Sequence, residues 1–542
     1  MAKNIVLCSD GTGNKGGNGK DSNVYKLYQA IDIHNAKTQQ ISFYENGVGT
    51  KEDGSTVKSN KFWVALSGAF GFGFEDNVRD LYEFLSRHYE VGDQIYIFGF
   101  SRGASTVRAF TGYIHSCGLL DKTKTTSEVE FQELINLGLK AYEKINTNPE
   151  LANDFKQKYA INDGSHAPDA NLKIHFIGVW DTVSALGFPD GTWNTSDWFF
   201  KSLDKVSKIC EKWADKRWPH QFYNYKLNDS ILYACQALAI DDERKTFHPK
   251  VWDESNRAPG TVEQVWFAGV HSNVGGGYPR TGLSSVALEW MYKHAADKGL
   301  IFIADDVNST RTHANVHGKL YDSRDGLAVY YRYEPRDIEK FCISKSTGQP
   351  KIETGKIKIH NTVIERIKQE TALYIPGNLP AKFEVVETET DPEKKTESVS
   401  FDKDEYHECR QDIQKWVDKR QWLYRTFVEI TLIMLVSVLF LWGFPPESVK
   451  DFVLPGSIKE SIQDSSLLMV PLLAIQRWVY ELLVYSFPVI FKNFITYVVY
   501  IHPSIFIAMM ITIVTLYKQR KKYLINQTKA LAKTRKFVRG FL

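Results

Sequence analysis

The stretch Gln94 to Ala109 reads QIYIFGFSRGASTVRA. Ile95 to Phe98 is a short apolar run of β-branched and aromatic residues, the pattern of a parallel strand buried on both faces. Gly99-Phe100-Ser101-Arg102-Gly103 follows at once, and Ala104 to Tyr113 is compatible with a helix. Strand, G-x-S-x-G and helix in that order make a nucleophile elbow. Both glycines are needed sterically, because so tight a turn brings the two backbones together. The serine is left at the strand tip beside a helix N-terminus. The competing interpretation is a glycine-rich turn whose serine merely caps the helix.

Three other strand ends carry polar residues. Asn4 to Ser9 reads as a buried strand and runs into the loop Asp10-Gly11-Thr12-Gly13-Asn14. In enzymes built on such an elbow, one oxyanion donor comes from a loop after an early strand and the other from the amide following the nucleophile. Here those positions are Gly11 or Thr12, and Arg102. Leu172 to Trp180 is a strongly apolar strand ending in Asp181, where open α/β sheets place their chemistry; capping of a following helix is the alternative. Glu263 to Ala268 is a strand ending in a glycine-rich loop that holds His271. The chain order is therefore Ser101, Asp181, His271, the order that accompanies a nucleophile elbow. Between these strands, Glu75 to Tyr89 and Ile231 to Ile240 read as helices, and Cys117 to Ala170 as a mostly helical insertion. Phe188 to Leu227 is dense in aromatics and reads as a lid.

The formal net charge of +3 over 542 residues gives no reason to expect nucleic acid as a partner. The six cysteines are scattered without C-x-x-C or metal spacing, which fits reduced thiols, and neither metal nor cofactor is expected. The N-terminus leads straight into the first strand, without an ordinary export signal. The expected fold is α/β, a mostly parallel sheet with helical insertions. The catalytic domain is expected over 1–375 with insertions near 118–170 and 188–230. A polar linker is expected over 376–425, where Val385 to Glu405 reads as linker or surface hairpin.

Residues 426–542 read as membrane-anchoring helices with a basic tail. Phe427 to Phe444 carries one charge, Glu429, and Phe494 to Tyr517 carries none. Each is long enough to cross about 30 Å of hydrocarbon. Leu467 to Phe491, between them, is apolar but carries Arg477 and Glu481 and reads as interfacial or re-entrant, with a third and fourth span as the alternative. Basic residues flank both outer ends, which predicts a multi-pass protein with its catalytic region on the cytoplasmic face. The tail itself, Lys518 to Arg539, would hold anionic lipid.

Seven stretches fall in the order of a known family. They are SDGTGN at Ser9–Asn14, NGVGT at Asn46–Thr50, EDNVRDLYEFL at Glu75–Leu85, GFSRGA at Gly99–Ala104, GVWDTVSALG at Gly178–Gly187, ALAIDDERKTFHP at Ala237–Pro249 and WFAGVHSNVGGGY at Trp266–Tyr278. With them the chain, over roughly Asn4 to Arg366, resembles a bacterial and fungal α/β-hydrolase family that includes type VI secretion phospholipase effectors. The resemblance implies a nucleophile, acid and base at Ser101, Asp181 and His271, and hydrolysis of lipid esters, commonly of phospholipid acyl chains. Membrane phospholipid is thus the expected substrate as well as the expected anchor. An esterase or thioesterase on soluble acyl substrates and a catalytically silent membrane scaffold are the competing functions.

Overall fold

Strand runs that are apolar at every position can be satisfied only between two layers of helices, and that is how they are used. A computed structural model describes residues 2–47, 73–161, 172–184, 226–344, 347–353, 355–388, 397–401, 403–443 and 503–542. In β1 (Asn4–Ser9), Ile5 and Leu7 enter one apolar cluster while Val6 and Cys8 enter another on the opposite face. β3 (Gln94–Phe100) alternates the same way, with Ile95 and Ile97 against Tyr96, Phe98 and Phe100. The remaining strands are β2 (Gln40–Glu45), β4 (Ile174–Trp180), β5 (Ile231–Ala239), β6 (Val262–Phe267), β7 (Lys358–His360), β8 (Lys382–Val386) and β9 (Glu397–Ser400). The described residues place them in one sheet ordered β2-β1-β3-β4-β5-β6-β7-β8-β9. All neighbours are parallel except β8 and β9.

Helix α1 (Asn23–Ala30) covers one face of the sheet; α2 (Phe74–His88), α3 (Arg102–Cys117), α4 (Glu128–Glu143) and α5 (Glu150–Tyr159) cover the other. The short α6 (His271–Gly275) leads to α7 (Gly282–Ala296), which packs on the α1 side, and α8 (Ala304–His313) follows. A third cluster joins Trp266 of β6, Phe383 of β8 and Val399 of β9 to α9 (Ile338–Phe341) and α10 (Asn361–Lys368). The end of β8 and all of β9 lie within Val385 to Glu405, the stretch expected to be linker or hairpin, and the two strands pair antiparallel.

Two expectations are corrected. Ile231 to Ile240, expected to be helical, is β5: a short continuous apolar run carries no period that separates helix from strand, and parallel partners on both sides decide it. The membrane region is the larger correction. Among the described residues no helix is long and apolar enough to cross a membrane. Helix α11 (Lys403–Gly443) is charge-rich over its first half. In α12 (Pro503–Ala530) the apolar part gives way at Lys518 to a basic run. The multi-pass placement and the cytoplasmic orientation deduced from those spans fall with them. Residues 162–171, most of the aromatic stretch Phe188 to Leu227, the segment Leu467 to Phe491 and the start of the second apolar stretch lie outside the described residues.

The chain divides into two units, the second containing Gln411–Leu531 and the first most of the rest, including Ala532–Leu542. Within the second unit Arg420 donates to Gln527 at 3.0 Å, joining α11 to α12, and the Trp416 and Tyr523 rings meet edge to face. Within the first unit the last helix, α13 (Ala532–Phe541), buries Val538 in the third cluster. There Arg535, expected in a lipid-binding tail, is buried and donates to the Leu373 carbonyl, and Arg539 pairs with Glu370.

The backbones of α3 and β1 come close together at Gly103, where an added Cβ would sit 2.2 Å from the Ser9 carbonyl oxygen and 2.3 Å from that of Asp10. Gly103→Ala should force α3 away from β1 and cost on the order of 3 kcal/mol. Urea unfolding of the full chain would read this directly, and an unchanged midpoint would mean the approach is not structurally demanding.

Candidate active site

Ser101 sits between the last residue of β3 and the first of α3, with φ 58° and ψ −120°. A non-glycine residue held there costs about 1–3 kcal/mol, so the surroundings must impose it. They do so on both sides. A Cβ on Gly99 would lie 2.8 Å from Ala104 Cα, so the turn closes only with glycine. The Ser101 amide donates to the Trp180 carbonyl at 3.1 Å, tying the elbow to β4.

Asp181 follows β4 directly and is also held at positive φ, 43°. Its amide donates to the Ala237 carbonyl at 2.8 Å, and its side chain is fully buried. His271 is the first residue of α6, just beyond β6. Its ring lies between those of Phe100, at 4.6 Å, and Phe247, edge-on at 4.9 Å. His271 Nε2 is 2.7 Å from Ser101 Oγ, and its Nδ1 is 2.5 Å from Asp181 Oδ2. A carboxylate facing Nδ1 can only accept, so the proton resides on Nδ1 and Nε2 accepts from the serine hydroxyl. Three residues far apart in sequence are thus brought into one hydrogen-bonded chain at the carboxyl ends of β3, β4 and β6.

Two of the expected oxyanion residues, Arg102 and Gly11, lie beside it. Arg102 opens α3, and the first amides of a helix have no partner within it. Gly11 packs on the elbow, where an added Cβ would be 3.1 Å from Ser101 Cβ. Its amide, however, donates to Asp10 Oδ1 at 2.6 Å. The Thr12 hydroxyl oxygen is enclosed and, among the described residues, has no hydrogen-bond partner. Asp10 itself is buried and also accepts from Ser22 at 2.6 Å, Tyr44 at 2.6 Å and Asn14 at 3.1 Å. It ties the loop to the start of α1 and to β2.

Over residues 3–294 the sequence matches the family described as type VI secretion system phospholipase effector, Tle1-like, catalytic domain. The chain belongs to this family. An uncharacterised protein of Saccharomyces cerevisiae is 30% identical over 200 residues, which are 34% of this chain and 27% of the yeast protein. The chain thus spans about a quarter of that relative's length. Among solved structures, an uncharacterised protein from Pseudomonas aeruginosa aligns with a TM-score of 0.31 and 17% identity, covering 61% of this chain and 50% of its own. The Tle1 effector bound to the VgrG spike of the type VI secretion system aligns with a TM-score of 0.32 and 14% identity, over 61% of this chain and 78% of its own.

The Tle1-like stretch does not hold every residue around the site. Arg336 lies beyond it, is buried, and clasps Asp181 through Nη1 to Oδ1 at 2.6 Å and Nη2 to Oδ2 at 2.7 Å. It also donates to the carbonyls of Ala239 and Phe247. Burial pushes the Asp181 carboxyl up, but the Arg336 guanidinium and the His271 contact outweigh it and hold the pKa at about 2. His271 is lowered from its usual value, because burial outweighs its bond to Asp181. The imidazole is therefore neutral, and able to accept a proton, at neutral pH. The loop carrying it is fixed by Asp241, which accepts from the Gly269 amide at 2.7 Å, and by Asp242, which accepts from the His271 amide at 3.1 Å. Asp242 is in turn held by Arg244. Sequence reasoning assigned no role to Arg336, Asp10, Asp241 or Asp242. The two aspartates stood in the ALAIDDERKTFHP stretch, whereas Arg336 in YEPRD carried no signal.

Removing the guanidinium leaves a buried carboxylate uncompensated. Arg336→Met should cost on the order of 3–5 kcal/mol near neutral pH. In the native chain the folded pKa of Asp181 is below its unfolded value, so its contribution is present above about pH 4 and lost as pH falls through about 2. In the variant burial prevails and the folded pKa rises above the unfolded one. Its contribution is then present in acid and lost as pH rises. Urea midpoints from pH 4 to 7 should accordingly fall in the variant relative to the native chain; parallel curves would remove Arg336 from this role.

Proposed function

We propose that this chain is a serine hydrolase that cleaves ester bonds of phospholipids. The observation that carries the reading is the continuous hydrogen-bonded chain from Ser101 Oγ through His271 to Asp181. Family membership supports the phospholipid as substrate. Ser101 Oγ attacks the acyl carbonyl carbon while His271 Nε2 takes its proton. Asp181 keeps the imidazole in the required tautomer and stabilises its charged form. The tetrahedral oxyanion is held by the Arg102 amide and by Thr12. Gly11 is the weaker candidate, since its amide is already committed to Asp10. Collapse breaks the bond to the alcohol oxygen, which leaves with the proton from His271. Water, deprotonated by the same imidazole, then releases the fatty acid and restores Ser101.

Ser101→Ala and His271→Ala should each reduce ester turnover to a trace, and the double variant should lose little more, because the residues act as one unit. Release of fatty acid from phospholipid vesicles, with circular dichroism to establish folding, measures this. A folded Ser101→Ala chain that retained substantial activity would defeat the assignment. The acid limb of kcat/KM should titrate below the ordinary histidine value, matching the lowered pKa of His271.

Thr12→Val separates the two oxyanion candidates on the early loop. If the enclosed hydroxyl donates in the transition state, kcat should drop roughly 100-fold with little change in KM. The melting temperature should not fall, because the variant only removes a hydroxyl that makes no hydrogen bond among the described residues. Unchanged kcat would exclude the hydroxyl.

A further inference from the structure

The turn Gly326–Tyr330 exposes apolar groups in a way a solvent-facing turn does not require. Leu327 is 87% exposed, and Tyr330 and Tyr331 are 41% and 42% exposed. Single exposed apolar residues are ordinary on a protein surface. Here three occur within five positions, and the turn that presents them is anchored from below. Val329 is buried, and Arg324 donates to its carbonyl at 2.7 Å. The Lys245 amide donates to the Arg332 carbonyl at 2.9 Å, joining the turn to the segment that carries Phe247.

The exposed group is continuous with the active site. Tyr331 meets the Phe247 ring edge to face at 5.4 Å, and Phe247 meets the His271 ring in the same way at 4.9 Å. One aromatic layer therefore separates an outward-facing leucine-tyrosine edge from the imidazole bonded to Ser101. Cations border it. Arg244 lies over Phe247 at 3.4 Å and near Tyr331 at 5.6 Å, and the exposed Lys319 lies over the Tyr321 ring. Arg244 is itself paired with Asp242, and an aliphatic tip, tyrosines behind it and an exposed lysine match the layers of a phospholipid surface: acyl chain, headgroup boundary and phosphate.

We propose that the Gly326–Tyr331 turn is the edge by which the enzyme docks on a phospholipid bilayer, with Leu327 entering the acyl layer. Tyr331 and Phe247 then line the apolar path along which one acyl chain is drawn to Ser101. The inference rests on the phospholipid-hydrolase reading above for its substrate, but the docking itself can be measured without catalysis. The turn is not part of the proposed catalytic chain, so the two can fail separately.

The test uses the full chain and mixed phosphatidylethanolamine and phosphatidylglycerol vesicles. The cysteines among the described residues are all buried, so Leu327→Cys offers a site for an environment-sensitive bimane label, with the native chain labelled in parallel as background. Emission should shift to the blue when vesicles are added. Leu327→Asp should lower kcat/KM on vesicles about tenfold or more, since a leucine inserted in the acyl layer is replaced by a charge, while hydrolysis of a short soluble ester stays within about twofold. A label that ignores vesicles which the enzyme hydrolyses would overturn the proposal. So would equal loss of both activities in Leu327→Asp. A blue shift that grows with protein concentration in the absence of vesicles would assign the turn to a second copy of the chain instead. Should the native chain hydrolyse neither substrate while the label still shifts, the docking stands and the hydrolase reading falls.

Discussion

The carboxylate of Asp181 is the group around which the site is built. It is fully buried, and an ionised carboxylate withdrawn from water is tolerated only when paired and hydrogen-bonded. Four donors meet that demand: both terminal nitrogens of Arg336, the Ala239 amide and His271 Nδ1. Each donor does something beyond satisfying the charge. The Ala239 amide fixes the end of β5 against the end of β4. The guanidinium keeps the carboxylate ionised. The histidine is left with one tautomer and one ring orientation, and its other nitrogen faces Ser101. A network of this kind in a low-dielectric interior is rigid when complete and costly when broken.

The chain assembles that network from parts with different sequence origins. The elbow, Asp181 and His271 all lie within the Tle1-like stretch, 3–294. Arg336 and the Gly326–Tyr331 turn come after it, as do β7, β8 and β9, which extend the sheet. The later segment is thus no passive extension. It supplies the counter-charge for the proposed acid and the outer wall of the histidine pocket, and through Phe247 the two are linked: Arg336 donates to its carbonyl and Tyr331 packs on its ring.

At the C-terminal end, apolar composition alone proved a poor guide. A stretch reads as a span when hydropathy is high and charges are few, but crossing also needs unbroken helical length. Among the described residues no helix is both long and apolar enough for it. Basic residues beyond α12, which read as a lipid-binding tail, partly serve folding instead. Arg535 is buried against a backbone carbonyl and Arg539 pairs with Glu370. Lysine and arginine counts carry no information about which cations find partners in the same chain.

What could be read from the sequence was whatever depends on neighbours along the chain. The apolar strand, the two glycines and the serine between them specify an elbow locally, because Gly99 and Gly103 answer to backbone within a few residues or to the strand beside them. Strand ends bearing Asp181 and His271 could be read for the same reason, and a parallel sheet brings such ends to one edge. Tertiary structure alone decided the rest. β5 is a strand because β4 and β6 offer it hydrogen bonds on both sides, which no period in Ile231 to Ala239 announces. The Gly11 amide is taken by the Asp10 side chain, in a loop whose sequence gives no sign of it. Arg336 pairs with Asp181 across 155 positions of chain. The strength of such a pair comes from exclusion of water, and burial is a property of the folded whole.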